Sequence, residues 1–314
     1  MTEATVTRPS MTSSSNHPIS WRARGFRLLL RLMKRRRIYE SAAGLMASIE
    51  DVRRVGPALP PQRLFTVLDV ESEKVGSCPV YTLRPLDAPQ GGKNILYLHG
   101  GAYCRPITRQ HWSLLEWLVK DLGCTVMVPL YPLAPESECL ATLRLVRKVR
   151  DLLLRRHGPI DAFMGDSAGG GLCLALCQDL RDAGQALPKR LTLITPWVDV
   201  TLTHPDIPAT LPRDPMLALD GLREAGRLYA GKLGVEHPLV SPLRADLRGM
   251  PAMQLLAGTD DILHHDAVRY AEQAAKAGCS VELELGHGMM HVWPLFPLPE
   301  ANRSRQAISE FLRR

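Results

Sequence analysis

The chain has 314 residues, 45% hydrophobic and 23% charged, which suits one large α/β domain with an appendage or two ordinary domains. Its net charge of +7 belongs to one segment, since Trp21 to Glu40 holds eight basic residues and one acid while the remainder balances at 31 of each. A neutral body excludes a broad nucleic-acid face, and seven cysteines, an odd number with no C-x-x-C spacing, suit a reducing compartment rather than a disulfide framework.

Residues 1–19 are rich in Thr and Ser and read as a flexible tail. Residues 20–39 read as one basic helix. Arg24, Arg27, Arg31, Lys34 and Arg35 share a face at helical spacing, and Trp21, Phe26, Leu28, Leu29, Leu30, Leu32 and Met33 fall on the others. A short helix from Ser41 to Arg54 completes a segment of 20–60. No signal-peptide core is visible and no apolar run reaches membrane-spanning length. A cytoplasmic protein is therefore expected, peripheral to a membrane if the basic helix is used that way.

From residue 61 the pattern changes. "RLFTVLDV" and "CPVYTLRP" read as strands forming an antiparallel edge, and "KNILYLHG" as a buried parallel strand ending in glycines. A helix over 109–122 leads to the strand "CTVMVPL" and the strong helix "ESECLATLRLVRKVRDLLLRR". "DAFMG", "LTLITPW", "AMQLLAG" and "VELELG" supply four further strands. Helices are expected at 221–232, 265–277 and 302–312. Alternating strands and helices predict a mostly parallel eight-stranded sheet with helices on both faces.

The chemistry gathers at strand ends. Gly165-Asp166-Ser167-Ala168-Gly169 fits G-x-S-x-G between a strand and a helix, where a sharp turn lifts a serine hydroxyl off the sheet edge. No Gly-Lys-Ser/Thr or G-x-G-x-x-G supports a phosphate loop. A serine needs a base to take its proton and donors for an oxyanion. His99-Gly100-Gly101-Ala102 follows an apolar strand, so the N–H groups of Gly100 and Gly101, with that of Ala168, are candidate oxyanion donors. His99 is expected to brace that loop. Downstream, "LLAGTDDILHHD" ends a strand with Asp260 and Asp261, and "ELGHGMMHVWPLF" ends another with His287 and His291. The order Ser, Asp, His is that of the α/β-hydrolase triad.

The motifs "HGGAY", "YPLAPE", "GDSAGGGL", "TPWVDVT", "SPL" and "DDIL…HVW", spread in order over residues 90–312, resemble those of the hormone-sensitive-lipase-like α/β-hydrolases, the family IV bacterial esterases, in their GDSAG subgroup. The resemblance implies the α/β-hydrolase fold with a helical cap, Ser167 as nucleophile, Asp261 as orienting acid and His291 as base. Asp261 is preferred to Asp260 because Leu263 and Asp266 follow it in the family's spacing, and His291 to His287 because Val292 and Trp293 follow it. Ala102 departs from the family's third loop glycine and is a weaker oxyanion candidate than Gly100 or Gly101, since a positive φ would cost about 1 kcal/mol or more. Pro132 also departs, standing where the family commonly has Arg.

His264, His265 and Asp266 read as a surface helix start and not a metal site, because adjacent helical residues do not share a face. His287 and His291 lack the Glu of a helical zinc pair. No cofactor or metal is expected. Cys104 reads as a small filler, and Tyr103 and Trp112 as pocket lining or core packing, with both left open. The basic helix has three open readings: a cap over the site together with a second piece at 203–235, a membrane-surface helix, or a solvated face. The function expected is a serine carboxylesterase for short- to medium-chain esters acting through an acyl-enzyme. A lactone hydrolase with the same residues is the near alternative, and a non-catalytic receptor or membrane-associated protein on the same fold is the alternative of another class. Expected partners are a small-molecule ester, an anionic membrane surface at the 20–39 helix and a second copy of the chain, but no nucleic acid.

Overall fold

A computed structural model describes residues 10–13, 18–87 and 92–314. Its strands are β1 (Ser10–Ser13), β2 (Asp69–Val75), β3 (Cys78–Arg84), β4 (Asn94–Leu98), β5 (Thr125–Pro129), β6 (Ala162–Asp166), β7 (Arg190–Ile194), β8 (Ala252–Gly258) and β9 (Val281–Gly286). They form one sheet in the order β1-β9-β8-β7-β6-β4-β5-β3-β2. Pairing is parallel from β1 to β5 along that order, and β3 lies antiparallel to both β5 and β2.

The eight expected strands are present. The ninth, β1, comes from the segment read as a flexible tail and pairs in parallel with β9. The rest of that call, residues 1–9 and 14–17, lies outside the described residues.

The helices are α1 (Trp21–Leu32), α2 (Ala42–Val55), α3 (Leu64–Val67), α4 (Arg109–Leu122), α5 (Cys139–His157), α6 (Ala168–Asp182), α7 (Ile207–Thr210), α8 (Leu219–Ala230), α9 (His264–Lys276) and α10 (Pro299–Arg313). They cover both faces of the sheet, because strand residues alternate between two cores. Leu96, Leu98, Phe163, Leu193 and Leu255 pack with Val146 of α5, Cys173 of α6 and Ala271 of α9. Ile95, Tyr97, Met164, Ile194 and Leu256 pack with Leu115 of α4 and Ile308 of α10.

Three expected elements change at their ends. The helix over 20–39 stops at Leu32: Lys34 turns left-handed at φ 52° and a 3₁₀ turn follows over Arg35–Tyr39. The strand read in "RLFTVLDV" is half helix. Leu64 and Leu68 are both buried four residues apart, a helical interval, and the sheet is joined only at Asp69. The last helix starts early, at Pro299, where a missing N–H costs nothing in a first turn.

Every parallel strand delivers its C-terminal end to one edge of the sheet. The loop after β4 carries Gly100 and Gly101, and the turn after β6 carries Ser167. Thr195 follows β7, Asp261 follows β8 and His291 follows β9.

Candidate active site

Ser167 stands between β6 and α6 at φ 52° and ψ −123°, the sharp turn that the glycine pattern predicts. The small neighbours have a concrete cause. A Cβ at Gly169 would overlap the Leu98 carbonyl, and one at Gly165 would lie 2.6 Å from the Gly169 carbonyl carbon. Helix and strand can touch here only without side chains. The Ser167 N–H donates to Ile194 O at 2.9 Å, which pins the turn to β7.

Ser167, His291 and Asp261 come together although 124 and 30 residues separate them pairwise along the chain. His291 Nδ1–H donates to Asp261 Oδ2 at 2.7 Å, so Nε2 is free to accept from Ser167 Oγ, 2.9 Å away. Asp261 is fully buried, and its other oxygen accepts the Leu263 N–H at 2.9 Å. Burial opposes a charged imidazolium at His291, but the charge and hydrogen bond of Asp261, aided by Asp214 and Asp166, more than offset it and raise its pKa above the ordinary histidine value. Thr195 Oγ1 sits 3.1 Å from His291 Nδ1 and accepts the Val292 N–H at 3.3 Å. This brace of the imidazole had no signal in the sequence.

Asp260, the neighbouring acid, faces elsewhere. It pairs with Arg27 of α1 at 2.7 Å and with Arg213 at 3.1 Å. His287 does not enter the relay described by Ser167, His291 and Asp261.

The loop after β4 departs from expectation at one candidate donor. The Gly100 N–H donates to Asp166 Oδ1 at 2.9 Å and is not available to a substrate. The N–H groups of Gly101, Ala102 and Ala168 hold no loop or side-chain acceptor among the described residues. Ala102 does adopt a left-handed φ of 53°, and Tyr103 one of 59°. His99 Nδ1–H donates to Gly100 O at 2.7 Å, and its ring stacks on Tyr131 with centroids 4.3 Å apart. Burial lowers its pKa to about 4, so it holds the loop as a neutral ring.

Asp166, whose role the sequence did not disclose, organises this corner. Its carboxylate accepts from Tyr97 Oη at 2.6 Å, from Gly100 N–H and from His111 Nε2–H at 3.2 Å. The His111 tautomer follows from its other nitrogen, which accepts the Thr108 N–H at 3.0 Å in a capping box at the start of α4. Burial pushes the Asp166 carboxyl up, but His111, Tyr97 and Gly100 together hold it below the ordinary range. Asp214 is placed oppositely: burial and the charge of Asp261 push it up to about 7.

A cavity of about 270 Å³ opens on Ser167 and His291. Its walls include Phe26, Leu29 and Leu30 from α1, Met33 just after it, Met216, Leu217 and Leu222 from the second segment, and Leu295 and Phe296. Arg36 donates to Leu211 O at 2.9 Å and Arg31 to Arg213 O at 3.3 Å, so the two segments also touch each other. Tyr103 and Trp112 are core residues and line no part of this cavity. Tyr103 stacks on Tyr229 at 3.6 Å, and Trp112 Nε1–H donates to Ala58 O at 2.7 Å. Burial pushes the Cys104 thiol up to about 12, which suits the filler reading.

The His264 and His265 ring centroids lie 3.7 Å apart, but Asp266 does not join them as a third ligand among the described residues. The described residues instead bring His204, Asp206 and His265 within 4.8 Å of one another. Two of the ring nitrogens there are engaged, His265 Nε2 with Thr210 Oγ1 at 2.9 Å and His204 Nδ1 with the Asp206 N–H at 3.2 Å. All seven cysteines are free and buried.

A family model for the alpha/beta hydrolase fold matches residues 95–295. The chain belongs to the α/β-hydrolase family. This hydrolase is similar to an acetyl-hydrolase of Streptomyces hygroscopicus, 35% identical over 243 residues that cover 76% of this chain and 81% of the relative. It is also similar to an esterase of Acinetobacter venetianus, 30% identical over 269 residues, 81% of this chain and 89% of that one. The crystal structure of an esterase from the bacterial hormone-sensitive lipase family superposes with a TM-score of 0.80 at 28% identity, covering 95% of this chain and 99% of that one. The hydrolase is of the hormone-sensitive-lipase-like kind and acts on carboxylic esters.

Proposed function

We propose that this hydrolase is a serine carboxylesterase of the branch with Gly-Asp-Ser-Ala-Gly at the elbow, working through an acyl-enzyme on short- to medium-chain esters. His291 Nε2 takes the Ser167 proton as Oγ attacks the ester carbonyl. Asp261 fixes the imidazole tautomer and stabilises the imidazolium. The N–H groups of Gly101, Ala102 and Ala168 receive the oxyanion. The carbonyl–alkoxy bond then breaks, and the alcohol leaves with the proton from His291. Water, deprotonated by the same nitrogen, attacks the acyl carbon, and Ser167 recovers its proton as the acid departs. The reaction is complete with these residues and water.

The observation that carries this reading is the 2.9 Å approach of Ser167 Oγ to an imidazole nitrogen whose other nitrogen is anchored on a buried carboxylate. The apolar cavity supports an uncharged substrate of modest size. Residues 20–60 and 203–235 act as the two pieces of a cap, a reading supported by their side chains in the cavity wall. Ser167→Ala is expected to abolish turnover of p-nitrophenyl acetate and butyrate and to prevent labelling by a fluorophosphonate probe. Undiminished turnover by the purified variant would refute the assignment.

A further inference from the structure

Helix α1 carries two apolar faces. Ala23 and Leu30 point inward and are buried. On the opposite side Trp21, Leu28 and Leu32 are 78%, 58% and 69% exposed, with Leu29 and Met33 exposed beside them. Positions 21, 25, 28, 29 and 32 recur at helical intervals, so they form one stripe, in which Gly25 adds no bulk. The same spacing sets Arg22 along one flank of the stripe and Arg24 along the other, beside Arg31, whose guanidinium is held by the Arg213 carbonyl. Leu29 and Met33 belong to the stripe's margin and also to the wall of the cavity that holds Ser167. The stripe therefore runs up to the cavity.

The geometry points to an interfacial helix: α1 lays this stripe into the surface of an anionic lipid bilayer, with its flanking arginines on the lipid phosphates and the cavity opening toward the acyl region. The charge decides the occupant. Eight basic residues and one acid lie between Trp21 and Glu40. A second copy docked on the same stripe would set one cationic segment against another, whereas anionic headgroups neutralise it. A ring of arginine around exposed Trp and Leu is also the composition that an interfacial helix needs. The membrane contact stands independently of the hydrolytic reading. Its consequence, that lipid-dissolved esters enter the site from the bilayer, rests on that reading.

The test is co-sedimentation of the full chain with vesicles of phosphatidylcholine containing phosphatidylglycerol, set against pure phosphatidylcholine. Binding is expected to the anionic vesicles, to be at least about tenfold weaker to the neutral ones, and to fall as salt is raised. Leu28→Glu/Leu32→Glu, at positions outside the cavity wall, is expected to lower vesicle binding about tenfold or more while soluble p-nitrophenyl acetate turnover is kept. Arg22→Glu/Arg24→Glu tests the same surface through charge alone. Wild-type protein that ignores anionic vesicles, or variants that bind them undiminished, would overturn the proposal. So would a wild-type dimer that ignores vesicles and becomes monomeric in Leu28→Glu/Leu32→Glu, since the stripe would then belong to a second copy. Ser167→Ala is expected to bind vesicles as wild type does, so inactivity and loss of binding are read separately.

Discussion

At the residue scale, the decisive group beyond Ser167, Asp261 and His291 is Asp166, which sits one position before Ser167 and holds Tyr97, Gly100 and His111 at once. Asp166→Asn would turn one carboxylate oxygen into a donor facing donors. We expect a loss of about 1–3 kcal/mol in unfolding free energy, measured by denaturant titration, and a fall in kcat as the Gly100–Ala102 loop drifts. The sequence could not announce this role, because Tyr97 and His111 look like ordinary strand and helix residues until the fold brings them to Asp166. The meeting of Ser167, Asp261 and His291 was legible, since the three fall at the ends of separate strands in a known order. The Gly100 donor was misread for the same reason that Asp166 was opaque: the partner lies 66 residues away. In the proposed mechanism His291 is the base, and only its neutral form is active. Its raised pKa sets the acid limb of the kcat/KM profile above the ordinary histidine value, and activity falls as pH drops through it. Asp214→Asn removes one of the charges that raise it, so the limb should move to lower pH. Asp266 offers a stability counterpart. Burial pushes it up to about 7 and its Oδ2 has no partner. Ionising it in the folded state therefore costs stability, with no penalty below about pH 4, a growing one as pH rises toward 7, and the full one above. Asp266→Asn should raise the Tm at pH 8, by about 1–3 kcal/mol in free energy, and leave it little changed near pH 3.

At the element scale, the elbow depends on β6 and α6 nearly touching. Gly169→Ala would drive a Cβ into the Leu98 carbonyl, which is main chain and cannot rotate aside. The expected result is destabilisation by about 1–3 kcal/mol and a fall in kcat of about a hundredfold as Ser167 leaves its position, measured against Gly25→Ala, where an added Cβ meets nothing. These glycines were readable because a strand, a small-residue cluster and a helix stood side by side in the sequence. The segment over 63–70 was not. Its Val, Thr and Phe favour a strand, but Leu64 and Leu68 bury together four residues apart, and that packing overrides propensity. The break after α1 was hidden in the same way, inside a run of cations from Lys34 to Arg37 that reads as helix by composition.

At the scale of the whole molecule, one carboxylate ties both segments over the cavity to the catalytic body. Asp260 receives Arg27 from α1 and Arg213 from the second segment, and its sequence neighbour Asp261 holds His291. Asp260→Ala should loosen the roof without touching the relay. We expect KM for soluble esters to rise more than kcat falls, and faster limited proteolysis around 33–41, with a stability loss of about 1–3 kcal/mol. The parallel sheet and its two covered faces were evident from alternation of elements, but the far margin was not. Ser10–Ser13 had no pattern of its own and pairs only because β9 offers a free ladder. That small strand works as a guard rail. Shortening the chain past Ser13 would strip the outer N–H and C=O groups of β9 bare and invite another molecule to zip onto them, so trimmed protein should gather into oligomers that light scattering would reveal, with each molecule's hydrolytic machinery still intact.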